Sequence, residues 1–131
     1  MSQENIEIVR QGIAAYNRRD FEALRELNAS DIELDWSDSR GPEAGVYQGV
    51  EEVFGFYRDF LAAWEMVRIE PDEFIESEDS LVVPNTAHLR GRDGIETVAR
   101  SALVFELRDG RIARIRLFQE TRDALEAVGL R

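Results

Sequence analysis

The sequence predicts an α+β fold in which helices come first and a curved antiparallel sheet follows. Apolar residues recur at helical spacing in the stretches before Trp64, and the period changes to two after it. In the second half, Asp109-Gly110 stands between two runs of alternating hydrophobic residues, which is a strong signal for a β-hairpin. Because short turns join the strands after Trp64, those strands are expected to form an antiparallel meander.

The composition is typical of a globular protein with a hydrophobic core. The chain has 131 residues, of which 44% are hydrophobic, and a single domain over residues 1–131 is expected. Its 27 acidic and 16 basic residues give a formal charge of −11, which repels nucleic acid. There is no cysteine, so a disulfide scaffold and a thiolate site are excluded. Neither a signal peptide nor a bilayer-spanning run is visible, which predicts a soluble, cytoplasmic protein without a membrane partner.

Three helices are predicted in the first half of the chain. The first covers residues 4–17, where apolar residues form one stripe at helical spacing. Asp20 is a suitable N-cap for a second, short helix, Phe21–Leu27. Gly49 opens the third helix, Val50–Trp64, whose aromatic side is too apolar for a surface helix and is expected to lie across the sheet.

The strands are predicted from the alternation of apolar and polar residues. A first strand covers about Asp31–Ser37, and a loop, Ser37–Gln48, follows it. Pro84 cannot donate to a ladder, which predicts a bulge or a gap in pairing at that point. The tail, Thr121–Arg131, is expected to form a last helix that ends at Gly129. The four strands of the meander are Val67–Ile75, Ser80–Arg90, Ile95–Leu107 and Arg111–Glu120.

The register of the last hairpin decides which side chains share a face. With a two-residue loop, Leu103 lies opposite Arg116, whereas a three-residue loop with Gly110 in the left-handed conformation places it opposite Ile115. The second register is predicted because it makes one nearly continuous apolar face. That face would consist of Leu103, Phe105, Leu107, Ala113, Ile115 and Leu117.

Three segments carry a resemblance to a known family: IVRQGIAAYNRRDFEALRELNASDIELDW, GVYQGVEEVFGFYRDFLAAW and ALVFELRDGRIARIRLFQETRDALEAVGL. Together they resemble the nuclear transport factor 2-like superfamily, and more closely its SnoaL-like (polyketide cyclase-like) branch. The resemblance implies a cone-shaped fold, with N-terminal helices packed on a curved antiparallel sheet and a pocket between the sheet and the long helix. Members include isomerases, cyclases, dehydratases, epoxide hydrolases and non-catalytic binding or docking domains, so the resemblance implies the fold more closely than the activity.

The resemblance also implies where catalytic groups would lie. An enzyme of the ketosteroid isomerase kind needs a carboxylate base, a tyrosine on the first helix and a protonated aspartate. Those positions match Trp36, Gly12 and Leu103, none of which supplies the required group. A tyrosine that supports this network in the family matches Tyr57. Cyclases of the SnoaL type use an Asp–His pair, for which His88 lies near the histidine position while Leu103 replaces the aspartate.

His88 is the only histidine and the best remaining candidate for a general base. A two-residue loop at Asp93-Gly94 would place it on the same face as Leu103, inside the cone. A three-residue loop would place Asn85 and Ala87 inside and His88 outside, and the apolar content of that strand favours this second arrangement. His88 is therefore either a pocket base or a surface or interface residue.

A mostly apolar pocket is predicted between the third helix and the sheet, with a few polar groups that orient a ligand. Tyr57, together with Asn85 and Ser101, would polarise a substrate carbonyl. The predicted lining is Tyr16, Trp36, Phe56, Tyr57, Asn85, Ser101, Leu103 and Leu117.

Two functional hypotheses follow. The first is a cyclase, isomerase or dehydratase that acts on a hydrophobic carbonyl compound, and the second is a non-catalytic ligand-binding or assembly domain. No cofactor is expected, and neither metal-ligand spacing nor a glycine-rich phosphate loop is present. A homodimer is predicted through a semi-apolar outer surface formed by Val104, Ile112 and Phe118.

Overall fold

The computed structural model describes residues 2–130 and confirms an α+β fold of the predicted kind. Helices and strands alternate in the first half, and the second half is a meander closed by a short helix. The helices are α1 (Ser2–Asn17), α2 (Phe21–Leu27), α3 (Gly49–Ala63) and α4 (Thr121–Ala127). The strands are β1 (Asn28–Asp35), β2 (Val46–Gln48), β3 (Met66–Pro71), β4 (Ile75–Glu76), β5 (Ser80–Arg90), β6 (Glu96–Arg108) and β7 (Arg111–Phe118). The predicted tail ended at Arg131, which lies outside the described residues.

One curved sheet contains all seven strands in the order β2-β1-β7-β6-β5-β3, and β4 also pairs with β5. The sheet is mixed rather than antiparallel throughout, because β1 runs parallel to β7. Short turns dictate antiparallel pairing only between strands that follow each other in the chain. A helix and several strands separate β1 from β7, so no turn constrains the direction of that pair.

Apart from shifts of one or two residues at strand ends, the strands differ from the sequence prediction in three respects. β1 begins at Asn28, directly after α2, and the predicted loop contains the short strand β2. The predicted strand Val67–Ile75 is divided into β3 and β4. Along one edge of β5, pairing with β3 ends at Asn85 and pairing with β4 begins at Val82. The gap between them falls beside Pro84, as predicted.

The start of α2 depends on Asp20, whose side-chain Oδ1 accepts a hydrogen bond from the Ala23 backbone N–H at 3.1 Å. This bond is the main cause that lowers the pKa of the Asp20 carboxyl below its usual value. Asp20→Ala is therefore expected to lower the urea midpoint at neutral pH. Since a carboxyl with a lowered folded-state pKa loses its contribution as the pH falls, the difference from wild type should shrink in acid. An unchanged difference across that range would contradict the cap.

The turn between β5 and β6 has the predicted three-residue register. Leu103 lies opposite Val83 and Ser101 lies opposite Asn85, while His88 lies opposite Val98. Side chains alternate along a strand, so Asn85 faces the helices and His88 faces away from them.

The hairpin between β6 and β7 follows neither register throughout. Arg108 lies opposite Arg111, so the loop is the two-residue Asp109-Gly110, in which both residues have positive φ. A bulge then shifts the pairing by one residue, and Leu103 lies opposite Leu117. The prediction of a three-residue loop is wrong, and Ile112, assigned to the outer face, is instead part of the core beneath the helices.

The core has two parts, one on each face of the sheet. The larger part lies between the inner face and helices α1–α3, with Phe54 and Ile32 among its fully buried side chains. The smaller part lies beneath α4, where Ala124 packs with Val82 and Val104. None of the described helices is long and apolar enough to cross a membrane.

The second core removes the surface on which the dimer prediction rested. Val104 is fully buried, Phe118 packs in the cluster beneath α4, and Ile112 lies on the other face. An apolar stripe on the tail helix was visible in the sequence, but the face that it would cover was not.

Candidate functional site

A cavity of about 220 Å³ lies between α1, α3 and the inner face of the sheet. Its walls are mainly apolar, from Leu34 on β1 to Leu103 and Leu117 on the meander. All eight residues predicted to line a pocket line this cavity, whereas His88 does not. Their roles in binding or catalysis stay predictions. The cavity also contains Gly12, Trp36 and Leu103, the positions where an isomerase of this fold would carry its catalytic groups, so those positions are apolar here.

Two phenols form the polar centre of the cavity. The rings of Tyr16 and Tyr57 meet edge to face with their centroids 5.1 Å apart. Burial raises the pKa of both hydroxyls, and the neighbouring Tyr57 adds to the effect on Tyr16. Among residues 2–130, neither hydroxyl has a hydrogen-bond partner, although buried tyrosine hydroxyls usually find one. Both remain neutral donors for a ligand at physiological pH.

Asn85 and Ser101 add a second polar place on the wall of the cavity. The two residues lie opposite each other on β5 and β6, and Asn85 is 2% exposed. The Asn85 Nδ2 donates to the Val83 carbonyl at 3.1 Å, and the Ser101 hydroxyl approaches the Asn85 Oδ1 at 3.5 Å. Since 3.5 Å is long for a hydrogen bond from a hydroxyl, the Ser101 hydroxyl is free to donate to a closer acceptor.

Aromatic rings line the route from the cavity to the surface. Phe56 contacts Trp36 and Tyr47, with ring centroids 5.5 and 4.8 Å apart. Phe56 and Phe60 continue this wall along α3 into an open outer groove that also contains Trp64. The density of aromatic residues on α3, visible in the sequence, therefore serves the core, the cavity and the groove together.

Glu43 is the site residue that sequence reasoning missed. Its half-buried side chain belongs to the linings of both the cavity and the outer groove. The Ser39 hydroxyl donates to the Glu43 Oε2 at 2.7 Å, and the Tyr47 hydroxyl donates to the Glu43 backbone carbonyl at 2.6 Å. No sequence signal marks this residue, because the path of the loop between β1 and β2 is set by these contacts. It is the one carboxylate in the described lining of the cavity.

His88 lies on the outer face of the sheet, the arrangement that the apolar content of its strand favoured, so it is not available as a base in this cavity. Its Nε2 is 2.9 Å from the Glu70 Oε1. The hydrogen bond from His88 is the largest cause that lowers the pKa of the Glu70 carboxyl, and the charge of Arg68 adds to it. Because the three-residue turn fixes the register, no rotation of the ring can bring His88 into the cavity.

The acidic residues of β1 form ion pairs instead of an acid–base dyad. Arg114 binds Glu33 at 3.0 Å and Glu106 at 3.5 Å on the outer face. Asp31 pairs with Arg108, whose hydrogen bond lowers the pKa of that carboxyl. Arg114 thus forms cross-strand ion pairs with both of its neighbouring strands. In the described part of the chain, no three His, Asp or Glu side chains are grouped as a metal site would require.

The comparisons with known proteins agree with this architecture. The model of the SnoaL-like domain matches residues 9–115. The chain belongs to the SnoaL-like domain family. No curated protein matches this SnoaL-like sequence closely enough to count as a relative.

Solved structures show the same fold over almost the whole chain. An NTF2-like protein of unknown function from Burkholderia pseudomallei is 25% identical, with a TM-score of 0.79 over 96% of this chain and 98% of that one. The epoxide hydrolase/cyclase-like enzyme SalBIII, from pyran ring formation in the polyether salinomycin, is 22% identical, with a TM-score of 0.75 over 89% and 91%. A Mycobacterium tuberculosis protein in complex with estradiol-17β-hemisuccinate is 17% identical, with a TM-score of 0.76 over 87% and 92%. Proteins of this fold thus include small-molecule binders and a cyclase-like enzyme.

Proposed function

We propose that this SnoaL-like protein binds a small apolar carbonyl compound in the cavity between α3 and the sheet. The proposal rests on two phenols without hydrogen-bond partners among residues 2–130 in a mainly apolar cavity, those of the buried Tyr57 and the half-buried Tyr16. A carbonyl oxygen would accept from one of them, and the apolar wall would bury the rest of the ligand. The complex of estradiol-17β-hemisuccinate with a protein of similar fold supports this use of the cavity.

The volume of the cavity limits the size of the ligand. A dry protein cavity of about 150 Å³ binds benzene. The cavity here, at about 220 Å³, is roughly half as large again. It therefore suits a compound of about two rings, and 2-tetralone, a two-ring ketone, is an appropriate probe.

The test compares 2-tetralone with tetralin, which has the same rings and no carbonyl. In a Trp64→Phe background, Trp36 in the cavity wall reports binding by its fluorescence. Tyr57→Phe is expected to weaken 2-tetralone binding about tenfold, the loss of one hydrogen bond, and to leave tetralin unaffected. Saturable binding of neither compound would refute the proposed function, and equal losses for both would refute the role of Tyr57.

Enzymatic action on such a compound, as a cyclase, isomerase or dehydratase, is the second candidate. Glu43 favours it, because a carboxylate that lines the cavity can reach a bound ligand as a general base. Tyr57 would then stabilise the charge that develops on the carbonyl oxygen. Without such a reaction, the protein is a non-catalytic binding domain of the same fold.

Exchange of the ligand's own hydrogens with solvent distinguishes an enzyme from a non-catalytic binding domain. An enzyme with Glu43 as its base should accelerate the exchange of the α-hydrogens of 2-tetralone in D₂O, as NMR can follow. Glu43→Gln should lose that acceleration while binding persists, and Glu70→Gln on the outer face is the matched control. If wild type binds 2-tetralone without accelerating exchange, the protein is the binding domain.

Self-association as a homodimer also remains a proposal. Light scattering at micromolar concentration is expected to give about twice 15.0 kDa. Since Phe118 packs beneath α4, Phe118→Glu is expected to lower stability and is unsuitable as an interface probe. Among the described residues, Ile95 and Val98 are large hydrophobic side chains that remain mostly exposed near one end of the sheet. Val98→Glu is the better variant, and a monomer at every concentration would refute the dimer.

A further inference from the structure

Asn28 is a buried polar residue that neither the fold nor the proposed function uses. It follows α2 and begins β1, and its backbone N–H donates to the Leu24 carbonyl. Its side chain takes no part in that contact. The residue is 4% exposed and lines the cavity, and neither its Oδ1 nor its Nδ2 has a hydrogen-bond partner among residues 2–130.

A buried amide without hydrogen-bond partners lowers the stability of the folded protein. Each buried donor or acceptor without a partner destabilises the folded protein, and Asn28 has one of each. Two cavity residues adjoin it and both are apolar: Leu24, which its backbone contacts, and Ile112, its strand partner. A leucine at position 28 would match these neighbours and avoid the cost. Buried polar groups without a structural partner call for an explanation, and a ligand in the adjoining cavity would supply one.

Gly12 also lines the cavity and packs against Ile112, the strand partner of Asn28. A Cβ atom at position 12 would lie 3.2 Å from the Cδ1 of Ile112, which is closer than ordinary packing. Any larger residue on this face of α1 would therefore displace Ile112 or fill the inner end of the cavity. The glycine therefore leaves room in the part of the cavity that Ile112 lines.

Asn28 lies far from the polar wall formed by Asn85 and Ser101. It pairs with Ile112, which lies opposite Leu107 on β6. Leu107 and Ser101 are six residues apart on that strand, a separation of roughly 20 Å along a straight strand and less along a curved one. A cavity of about 220 Å³ that extends over such a distance is narrow, so it favours a flat, elongated compound.

We propose that Asn28 is the inner anchor of the ligand site and binds a second oxygen function at the far end of an elongated ring compound. This inference rests on the proposed function and adds the class of ligand to it. A hydroxyl matches Asn28 best, because the amide can accept its proton through Oδ1 and donate to its oxygen through Nδ2. The carbonyl end of the same compound would lie toward Tyr57 and Ser101.

The test compares 4-phenylphenol with 4-methylbiphenyl, which has the same shape but ends in a methyl group. Wild type is expected to bind the phenol at least tenfold more tightly. Asn28→Leu should remove this preference by weakening the phenol alone, and it should raise the melting temperature of the free protein. Gln11→Leu, which replaces an exposed amide on α1 outside the cavity, is the matched control and should keep the preference.

A second measurement uses the wild-type protein, so it does not require any variant to fold. The side-chain amide NMR signals of Asn28 should shift when 4-phenylphenol binds and stay in place with 4-methylbiphenyl. Suppose that both compounds bind, but that Asn28→Leu affects them equally or that the amide signals respond to them equally. The role of Asn28 as an anchor is then refuted, while the cavity is still a binding site. If neither compound nor 2-tetralone binds, the proposed function fails, and the anchor fails with it.

Discussion

The free energy of unfolding is expected to fall steeply as the pH rises above about 10, the pKa of a tyrosine in an unfolded chain. Burial raises the folded-state pKa of Tyr16 and Tyr57, so the folded protein keeps both protons where the unfolded chain loses them. The contribution of both phenols is complete below pH 10 and decreases above it. Each phenol should remove about 1.4 kcal/mol per pH unit, and the two together about 2.7 kcal/mol.

The composition makes this measurement unusually direct. The sequence contains no lysine and no cysteine, so tyrosines are the side chains that titrate in this range. Urea unfolding at several alkaline pH values, with phenolate absorbance recorded alongside, gives the slope. The double variant Tyr16→Phe/Tyr57→Phe should lose most of the decrease, and Tyr47→Phe, near the surface, should keep it. A slope unaffected by the double variant would contradict the burial of the phenols.

Phe54→Ala is expected to lower the free energy of unfolding by about 3–5 kcal/mol, the usual loss for a fully buried phenylalanine. Phe54 belongs to α3, has no exposed surface and faces α2. Its ring centroid is 5.5 Å from that of Phe21 and 6.0 Å from that of Tyr57, and the Arg25 guanidinium lies 5.1 Å from it. Removal of the ring would leave a cavity that these neighbours can close only in part.

Urea unfolding at neutral pH measures this loss. Val46→Ala is the control, since Val46 is 49% exposed and its truncation should change stability by less than about 0.5 kcal/mol. A loss for Phe54→Ala no larger than that of the control would mean that α3 does not pack against α2 as described.

Sequence reasoning succeeded where a local pattern determines the structure. Asp20 caps α2 because the carboxylate needs only the next turn of the same helix. The direction of His88 followed from the turn at Asp93-Gly94 and from the apolar residues of its own strand. The aromatic side of α3 predicted a pocket position for Phe56 and Tyr57, which both line the cavity.

The sequence was insufficient where contacts between distant segments of the chain determine the structure. The bulge after Ile112 accompanies the parallel pairing of β7 with β1, a contact that no local pattern contains. Glu43 reaches the cavity because Tyr47 and Ser39 hold its loop, and nothing in the loop sequence distinguishes it from a solvated carboxylate. Likewise, Asn28 resembles an ordinary residue at a helix end until the burial of its side chain is known.

A crystal structure of the protein grown with 2-tetralone would show directly whether the cavity between α3 and the sheet is the ligand site. We expect density for the two rings between Trp36 and Leu103, with the ketone oxygen within hydrogen-bond distance of the hydroxyl of Tyr16 or Tyr57. Density confined to the outer groove beside Trp64, or an unoccupied cavity at saturating ligand, would contradict the account.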